Sequence, residues 1–218
     1  MLKLYFNRRS NVSELLNEKE KDESVLVFGF NGVEKINYKR ELSGEESILQ
    51  NIVGLSKKGN KIVITGTITD NFGILKKSVV VAEDGKLLGI SDMNMCLDKT
   101  PFSPGGGHRV YQTKIGRIGI LVCDDFIDFE GIKAMSLCGA DIIISMLPYD
   151  EKPQDSVLIR AYSFLFGVPN VVFTNSSVIA SDIKGEICGA SKNEESRIIV
   201  PTKKNYRLCQ IKRRGVKS

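Results

Sequence analysis

The stretch GRIGILVCDD, residues 116–125, is the most informative for the fold, because a nearly continuous apolar run ends in one cysteine and two acids. A run of this length is typical of a strand buried on both faces, as in parallel sheets covered by helices. Cys123 falls where this strand ends and the chain turns. A nucleophile needs such a rigid position, although a cysteine taken alone is more often a small core residue.

Strand and helix patterns alternate on both sides of this stretch. Strands are predicted at 2–6, 24–30, 61–67, 109–113, 119–123, 141–145 and 170–174, and helices at 10–22, 44–57, 128–139 and 153–166. A hairpin of 78–82 and 87–90 surrounds a turn at 83–85, an irregular segment covers 91–108, and residues 184–209 have the pattern of short strands. Hairpins mixed with strand–helix–strand units predict an α/β fold of two packed mixed sheets with helices outside.

The composition is that of an ordinary globular protein of 218 residues, 42% of them hydrophobic and 26% charged. One domain over residues 1–200 is predicted, followed by a basic tail at 201–218. The net charge of +5 is unevenly distributed, because the tail holds seven basic residues and no acid. The rest of the chain, with 24 basic and 26 acidic residues, is therefore mildly acidic.

The sequence argues against membrane-spanning, secreted and metal-binding proteins. No run of 18 apolar residues predicts a transmembrane helix, and the N-terminus lacks the apolar core of a signal peptide, so no membrane contact is expected. Five widely spaced cysteines without a CxxC pair favour reduced thiols and a cytoplasmic location. With one histidine and no ligand-spaced cluster, neither a metal site nor another cofactor is predicted.

The segment around Cys123 resembles the nucleophile region of the nitrilase superfamily, the carbon–nitrogen hydrolases that act on nitriles, amides and carbamoyl compounds. The residues that match the family's pattern are Gly116, Arg117, Gly119, Cys123, Asp125, Glu130, Gly139, Ala140 and Asp141. Residues 78–81 and 84–89 resemble the family's central hairpin, and residues 189–191 its turn before the final strands. The resemblance implies a four-layer α-β-β-α sandwich and thiol attack by Cys123 on a small amide-like substrate.

In that family a cysteine attacks the carbon of the C–N bond, a glutamate carries protons and a lysine stabilises the oxyanion. In this sequence Phe30 stands at the position of the glutamate and Met93 at that of the lysine. A pocket of Cys123, Phe30 and Met93 would be apolar, and desolvation would raise the thiol pKa. The candidate replacements for the two missing groups are Glu34, Lys99, Asp124 and His108.

Each candidate also has a plainer interpretation. Glu34 and Lys99 fall in predicted loops, where most charged side chains are simply solvated. Asp124 adjoins the cysteine, and neighbours in a strand face opposite sides unless the chain turns there. His108 ends a glycine-rich loop and can pair with a thiol as its base, but a lone histidine is more often structural. One of the lysines at 76–77 can point inward, although a surface lysine is the simpler interpretation.

Three hypotheses follow. The first is a carbon–nitrogen hydrolase with Cys123 as nucleophile and a rearranged base and cation. The second is a non-enzymatic relative that keeps the fold and binds a small ligand or a protein partner. The third is nucleic-acid binding by the basic cluster at 212–214, but no accompanying motif supports it and a solvated terminus is favoured. The resemblance also implies a homodimer, with residues 207–211 as an edge strand at the contact.

Overall fold

The computed structural model describes residues 1–7, 12, 25–30, 32–97 and 99–201. Its strands are β1 Leu2–Asn7, β2 Val25–Phe28, β3 Ile36–Asn37, β4 Ile62–Asn71, β5 Ile74–Glu83, β6 Lys86–Asp92, β7 Arg109–Thr113, β8 Gly116–Val122, β9 Ile142–Met146, β10 Asn170–Phe173, β11 Val178–Ser181, β12 Ile187–Ser191 and β13 Glu195–Val200. Its helices are α1 Tyr38–Ser43, α2 Ile48–Lys57, α3 Phe129–Leu137 and α4 Pro153–Phe166, and a 3₁₀ turn covers Cys123–Phe126.

The strands form two mixed sheets in the described part of the chain. The first has the order β13-β1-β2-β4-β5-β6, with β3 beside β4, and the second has the order β12-β11-β10-β9-β8-β7. Strands β1, β2 and β4 run parallel, as do β8, β9 and β10. The hairpins β4–β5, β5–β6 and β7–β8 add antiparallel pairs. The predicted α/β fold of two mixed sheets with helices is confirmed.

Three buried clusters hold the layers together. The inner cluster fills the space between the two sheets and includes Val27, Ile64, Val79, Ile120 and Ile144. A second cluster packs the outer face of the first sheet against α2, and a third packs the outer face of the second sheet against α3 and α4. Because side chains alternate along a strand, each sheet supplies one inner and one outer face. The layer order is therefore helix, sheet, sheet, helix.

Some predicted boundaries are wrong. The helix predicted at 44–57 is α2, which begins only at Ile48, and the sequence did not predict the short helix α1 before it. Gly44 adopts a left-handed φ of 77° that ends α1, so residues 44–47 connect the two helices. The Glu41 carboxylate bridges the break by accepting the backbone N–H of Ile48 at 2.6 Å. The strands β3 and β11 were not predicted, and β6 continues to Asp92, into the segment predicted to be irregular.

Several predictions concern residues outside the described part of the chain. They are the helix at 10–22, of which only Val12 is described, the short strands predicted beyond residue 201, the edge strand at 207–211 and the basic cluster at 212–214. Within the described ranges, no helix is long and apolar enough to cross a bilayer. Nor do those ranges contain a group of three or more His, Cys, Asp or Glu side chains arranged to hold a metal ion.

Candidate active site

The carboxyl ends of the parallel strands β8, β9 and β10 meet at one edge of the second sheet. Cys123 directly follows β8, Tyr149 lies in the loop after β9, and Thr174 follows β10. The N–H of Asn175 donates to the carbonyl of Tyr149 at 2.9 Å and joins two of these loops. Such an edge collects side chains from distant parts of the sequence, and ligands bind at this end of parallel sheets.

Cys123 has a φ of 54°, a left-handed backbone that few residues other than glycine adopt. Ile118, Ile120 and Val122 point into the inner cluster, so regular alternation would turn Cys123 to the outer face. Its side chain instead packs in the inner cluster and is only 1% exposed. The left-handed residue thus directs the thiol between the sheets. Backbone strain of this kind costs about 1–3 kcal/mol and is concentrated at functional sites.

Charged groups lie close enough to the thiol to influence its ionisation. Burial raises the pKa of Cys123 well above its ordinary value and is the largest influence. The positive charge of Lys77 opposes this rise, whereas the charges of Asp124 and Asp125 add to it. The pKa of the neighbouring Cys96 thiol is also raised, by burial first and then by the same two carboxylates. The surroundings of Cys123, called the Cys123 site below, therefore combine two thiols, two acids and one cation.

The wall of the Cys123 site is apolar. Met93 lies in the inner cluster with Cys123, and Phe30 and Phe102 pack against it. The Lys77 ammonium lies 5.1 Å from the centroid of the Phe102 ring, within the range of a cation–π interaction. These aromatic and thioether groups exclude water, which explains why burial dominates the pKa of the thiol.

Asp125 is a buried anchor for the chain that follows β6. Its Oδ1 accepts the backbone N–H groups of Asn94 at 2.8 Å and of Met95 at 2.7 Å. Its Oδ2 accepts the side-chain amide of Asn94 at 3.2 Å. Burial raises the pKa of Asp125, while these hydrogen bonds and nearby His108 oppose the rise. With its oxygens occupied in this way, Asp125 positions the loop after β6.

His108 belongs to this anchor. Its Nδ1 lies 3.1 Å from the side-chain amide nitrogen of Asn94 and 3.9 Å from Oδ2 of Asp125. Its Nε2 lies 3.6 Å from Oδ2 of Asp128, the residue that caps α3. The structure thus places His108 between two carboxylates, and the charges that act on the Cys123 thiol belong to other side chains.

The other three candidate replacements lie in different surroundings. Glu34 and Lys99 are both exposed. Asp124 is half-buried, and its Oδ2 accepts the backbone N–H of Leu97 at 3.3 Å. Of the four candidates, Asp124 is the one whose charge acts on Cys123.

Tyr149, Cys96 and Phe102 were not among the residues predicted from the sequence. For the lysines at 76–77, an inward direction of one was an alternative to the simpler surface position, and Lys77 is the one whose charge acts on Cys123. The pKa of Tyr149 is raised by burial first, and then by the charges of Asp155, Asp124 and Cys123. Tyr149 could have been found from the sequence, because it follows the next predicted parallel strand after the one that ends at Cys123.

A family model described as carbon-nitrogen hydrolase matches residues 25–202. The chain belongs to the carbon-nitrogen hydrolase family. The match begins at β2 and includes the strand that ends at Cys123 together with the strands on either side of it.

Two curated relatives of this chain are plant enzymes. Over 86 residues it is 35% identical to the N-carbamoylputrescine amidase of Arabidopsis thaliana, an alignment that covers 36% of this chain and 29% of that protein. Over 62 residues it is 37% identical to the N-carbamoylputrescine amidase of Solanum tuberosum, covering 28% of this chain and 21% of that protein. The aligned stretch is thus less than a third of the length of either relative.

Solved structures extend the similarity to most of the chain. A carbon-nitrogen hydrolase from Helicobacter pylori G27 superposes with a TM-score of 0.75 at 17% identity, over 92% of this chain and 89% of that one. A mutant amidase from Nesterenkonia sp. AN1, showing the result of Michael addition of acrylamide at its active site cysteine, superposes with a TM-score of 0.76 at 12% identity, over 98% and 97%. The chain therefore has the fold of both proteins.

Proposed function

We propose that this carbon-nitrogen hydrolase is an amidase-type enzyme in which the Cys123 thiol attacks the carbonyl carbon of a small amide-like substrate. The observation that carries the proposal is the left-handed backbone of Cys123, which turns the thiol from the end of β8 into the space between the sheets. The stretch shared with an N-carbamoylputrescine amidase supports N-carbamoyl amines as one substrate class. The likeness to an amidase supports simple amides as the other.

Asp124 serves as the base in this proposal. Its carboxylate takes the thiol proton as the sulfur–carbon bond forms and the carbonyl π electrons move to oxygen. When the tetrahedral intermediate collapses, Asp124 returns the proton to the departing nitrogen. A simple amide then leaves a thioester on Cys123, and an N-carbamoyl amine leaves a thiocarbamate. Water then attacks this adduct while Asp124 takes one of its protons. The acyl product leaves as the acid, and the thiol regains its proton.

Two features of the site support this division of roles. Asp124 directly follows Cys123 in the 3₁₀ turn, and its charge acts on the thiol. The thiol pKa is raised, so a preformed thiolate is scarce at neutral pH. Proton transfer to Asp124 in step with sulfur–carbon bond formation avoids that scarce species.

The test measures product release from N-carbamoylputrescine and from butyramide, together with the intact mass of acid-quenched protein. We expect turnover, with a butyryl thioester on Cys123 from butyramide and a thiocarbamate from N-carbamoylputrescine, all of which Cys123→Ala abolishes. Asp124→Asn should lower turnover by about 10²–10⁴, the usual contribution of a positioned base. Cys138→Ala is the matched control, because that thiol is exposed at the end of α3. Turnover that survives in Cys123→Ala would exclude the proposed nucleophile.

Ligand binding without turnover is a second candidate function, and the burial of the thiol favours it. Cys123 is 1% exposed and is packed with Met93 and Phe30. Under this alternative, calorimetry with the same compounds detects binding, no product is released, and Cys123→Ala binds as tightly as the native protein. An acyl adduct on Cys123 would count against it.

We further propose that the chain forms a homodimer through the outer surface of α3 and α4. That surface exposes large apolar side chains, which are Phe129, Leu137, Val157, Phe164 and Leu165. Exposed apolar clusters of this kind commonly mark protein contacts. Sedimentation equilibrium is expected to give a dimer that Val157→Asp dissociates. Ile74→Asp, at an exposed apolar position on the other sheet, is the control and should leave the dimer intact.

Two proposals concern the context of the chain. A cytoplasmic location is supported by four thiols that are unpaired in the described residues, Cys96, Cys123, Cys138 and Cys188. Titration of thiols in freshly isolated protein should find them reduced.

A domain limit near residue 200 is supported by β13, which ends at Val200 and pairs with β1. Removal of residues 201–218 should then leave the cooperative unfolding transition unchanged.

A further inference from the structure

We propose that the Lys77 ammonium is the cation of the Cys123 site, where it stabilises the thiolate and the oxyanion that forms when sulfur adds to the substrate carbonyl. In that step the carbonyl π electrons move to oxygen, and the ammonium offsets the new negative charge without transferring a proton. This inference rests on the proposed function of Cys123 and adds the group that carries positive charge.

Alternation along β5 directs Lys77 toward the space between the sheets. Val79 and Val81 belong to the inner cluster, whereas Val80 and Ala82 belong to the cluster beneath α2. Lys77 lies two residues before Val79, so its side chain leaves the sheet on the inner face.

Lys77 also lies opposite Met93 across the sheet. The ladder of β5 and β6 pairs Ser78 with Asp92, and beyond it the N–H of Met93 donates to the carbonyl of Lys77 at 2.9 Å. Opposed residues of an antiparallel pair have Cβ atoms about 4.5–5.5 Å apart and share one face. Since Met93 packs in the inner cluster with Cys123, Lys77 starts on the same side of the sheet as the thiol.

The ammonium end of Lys77 is held near the thiol. Its Nζ lies 5.1 Å from the centroid of the Phe102 ring, and Phe102 packs against the inner cluster. After burial, the charge of Lys77 is the largest influence on the pKa of Cys123, and it lowers that pKa. Among the described residues, no carboxylate forms an ion pair with Lys77. Its charge is therefore available to an anion formed in the site.

Lys76 is a matched control on the same strand. It leaves the sheet on the outer face, where its Nζ lies 2.9 Å from Oδ2 of Asp92. The hydroxyl of Ser78 donates to the other oxygen of that carboxylate at 2.7 Å. Removal of the Lys76 charge therefore alters a different network on the opposite side of the sheet.

The experiment is the pH profile of Cys123 alkylation by iodoacetamide, followed by peptide mass spectrometry, which requires no turnover. Lys77→Met removes the charge and keeps the apolar stem. We expect it to slow labelling of Cys123 about threefold to tenfold at pH 8 and to shift the profile to higher pH, because each pKa unit changes the thiolate fraction tenfold. Lys77→Arg and Lys76→Met should keep the native profile, and exposed Cys138 is the internal reference.

A double variant separates charge from packing. Met93→Lys in the Lys77→Met protein puts an ammonium on the same face from the opposed position, and we expect it to restore Cys123 labelling. Native labelling in Lys77→Met would overturn the inference, as would failure of Met93→Lys to restore it. A Lys77-dependent labelling profile in a protein that turns over no amide would contradict the hydrolase function alone. Where turnover occurs, Lys77→Met should lower kcat/KM by about 10²–10³.

Discussion

The buried carboxylate of Asp125 accepts the backbone N–H of Met95 at 2.7 Å, which ties the turn after β8 to the loop after β6. The same oxygen accepts the N–H of Asn94 at 2.8 Å. The two segments come from different sheets, so this contact fixes the distance between the sheets at the end where Cys123 lies. A single buried carboxylate thereby satisfies two backbone donors of a half-buried loop.

Asp125→Ala should destabilise the protein by about 2–4 kcal/mol, because two half-buried N–H groups each lose a hydrogen bond to a charged group, and such a bond contributes about 1.5–3 kcal/mol. Asp125→Asn keeps one oxygen that can accept both N–H groups, so its free energy of unfolding should decrease clearly less than that of Asp125→Ala. Urea unfolding of the two variants measures the difference. Equal losses would mean that the two backbone hydrogen bonds are not what Asp125 contributes.

The buried thiol predicts a loss of stability at alkaline pH. The pKa of Cys123 is raised in the folded protein, so the thiol contributes to the free energy of unfolding. That contribution is fully present below the ordinary pKa of 9.0 and decreases as the pH rises above that value. In that range the unfolded thiol ionises while the folded thiol keeps its proton. The stability advantage of the native protein over Cys123→Ala should then shrink by up to about 1.4 kcal/mol per pH unit. Urea unfolding at pH 8 and pH 10 checks this, and a constant difference would contradict it.

The sequence predicted the elements whose apolar pattern is long and regular. The helix at 153–166 has the observed bounds, and the strand predicted at 170–174 is β10 with one residue fewer. These predictions are correct because the buried face of a helix or strand requires apolar residues at the repeat of that element, and this spacing is visible in the sequence. The helix predicted at 44–57 starts four residues too early, because Gly44 is not helical but adopts the left-handed conformation that ends the preceding helix α1.

The site was less predictable, because it depends on backbone turns and on strand order. The resemblance directed attention to Cys123, but alternation alone would have turned its thiol to the outer face, and only the φ of 54° corrects this. The inward direction of Lys77 follows from alternation with Val79, once the two faces of β5 are known. Tyr149 enters the site through the order of β8, β9 and β10, which no short motif records.

Gly66 allows Phe30 to approach β4 closely. A Cβ at position 66 would lie 2.9 Å from two atoms of the Phe30 ring and 3.1 Å from its Cα. Gly66→Ala must therefore displace Phe30 from the apolar wall, and we expect a loss of about 1–3 kcal/mol together with faster alkylation of Cys123. Gly106→Ala, where a Cβ meets nothing within 4 Å, should change neither quantity. Unchanged alkylation in Gly66→Ala would show that Phe30 does not shield the thiol.

Cys123→Gly should be more stable than Cys123→Ala by about 1 kcal/mol, because alanine at a φ of 54° bears the left-handed cost that glycine avoids. At an extended buried position the order reverses. Ala180, fully buried in β11, is such a control, and Ala180→Gly should cost at least about 0.5–1 kcal/mol. Urea unfolding of the three variants measures both differences. If Cys123→Gly is the less stable of its pair, position 123 needs no left-handed backbone, and the turn that brings the thiol between the sheets is refuted.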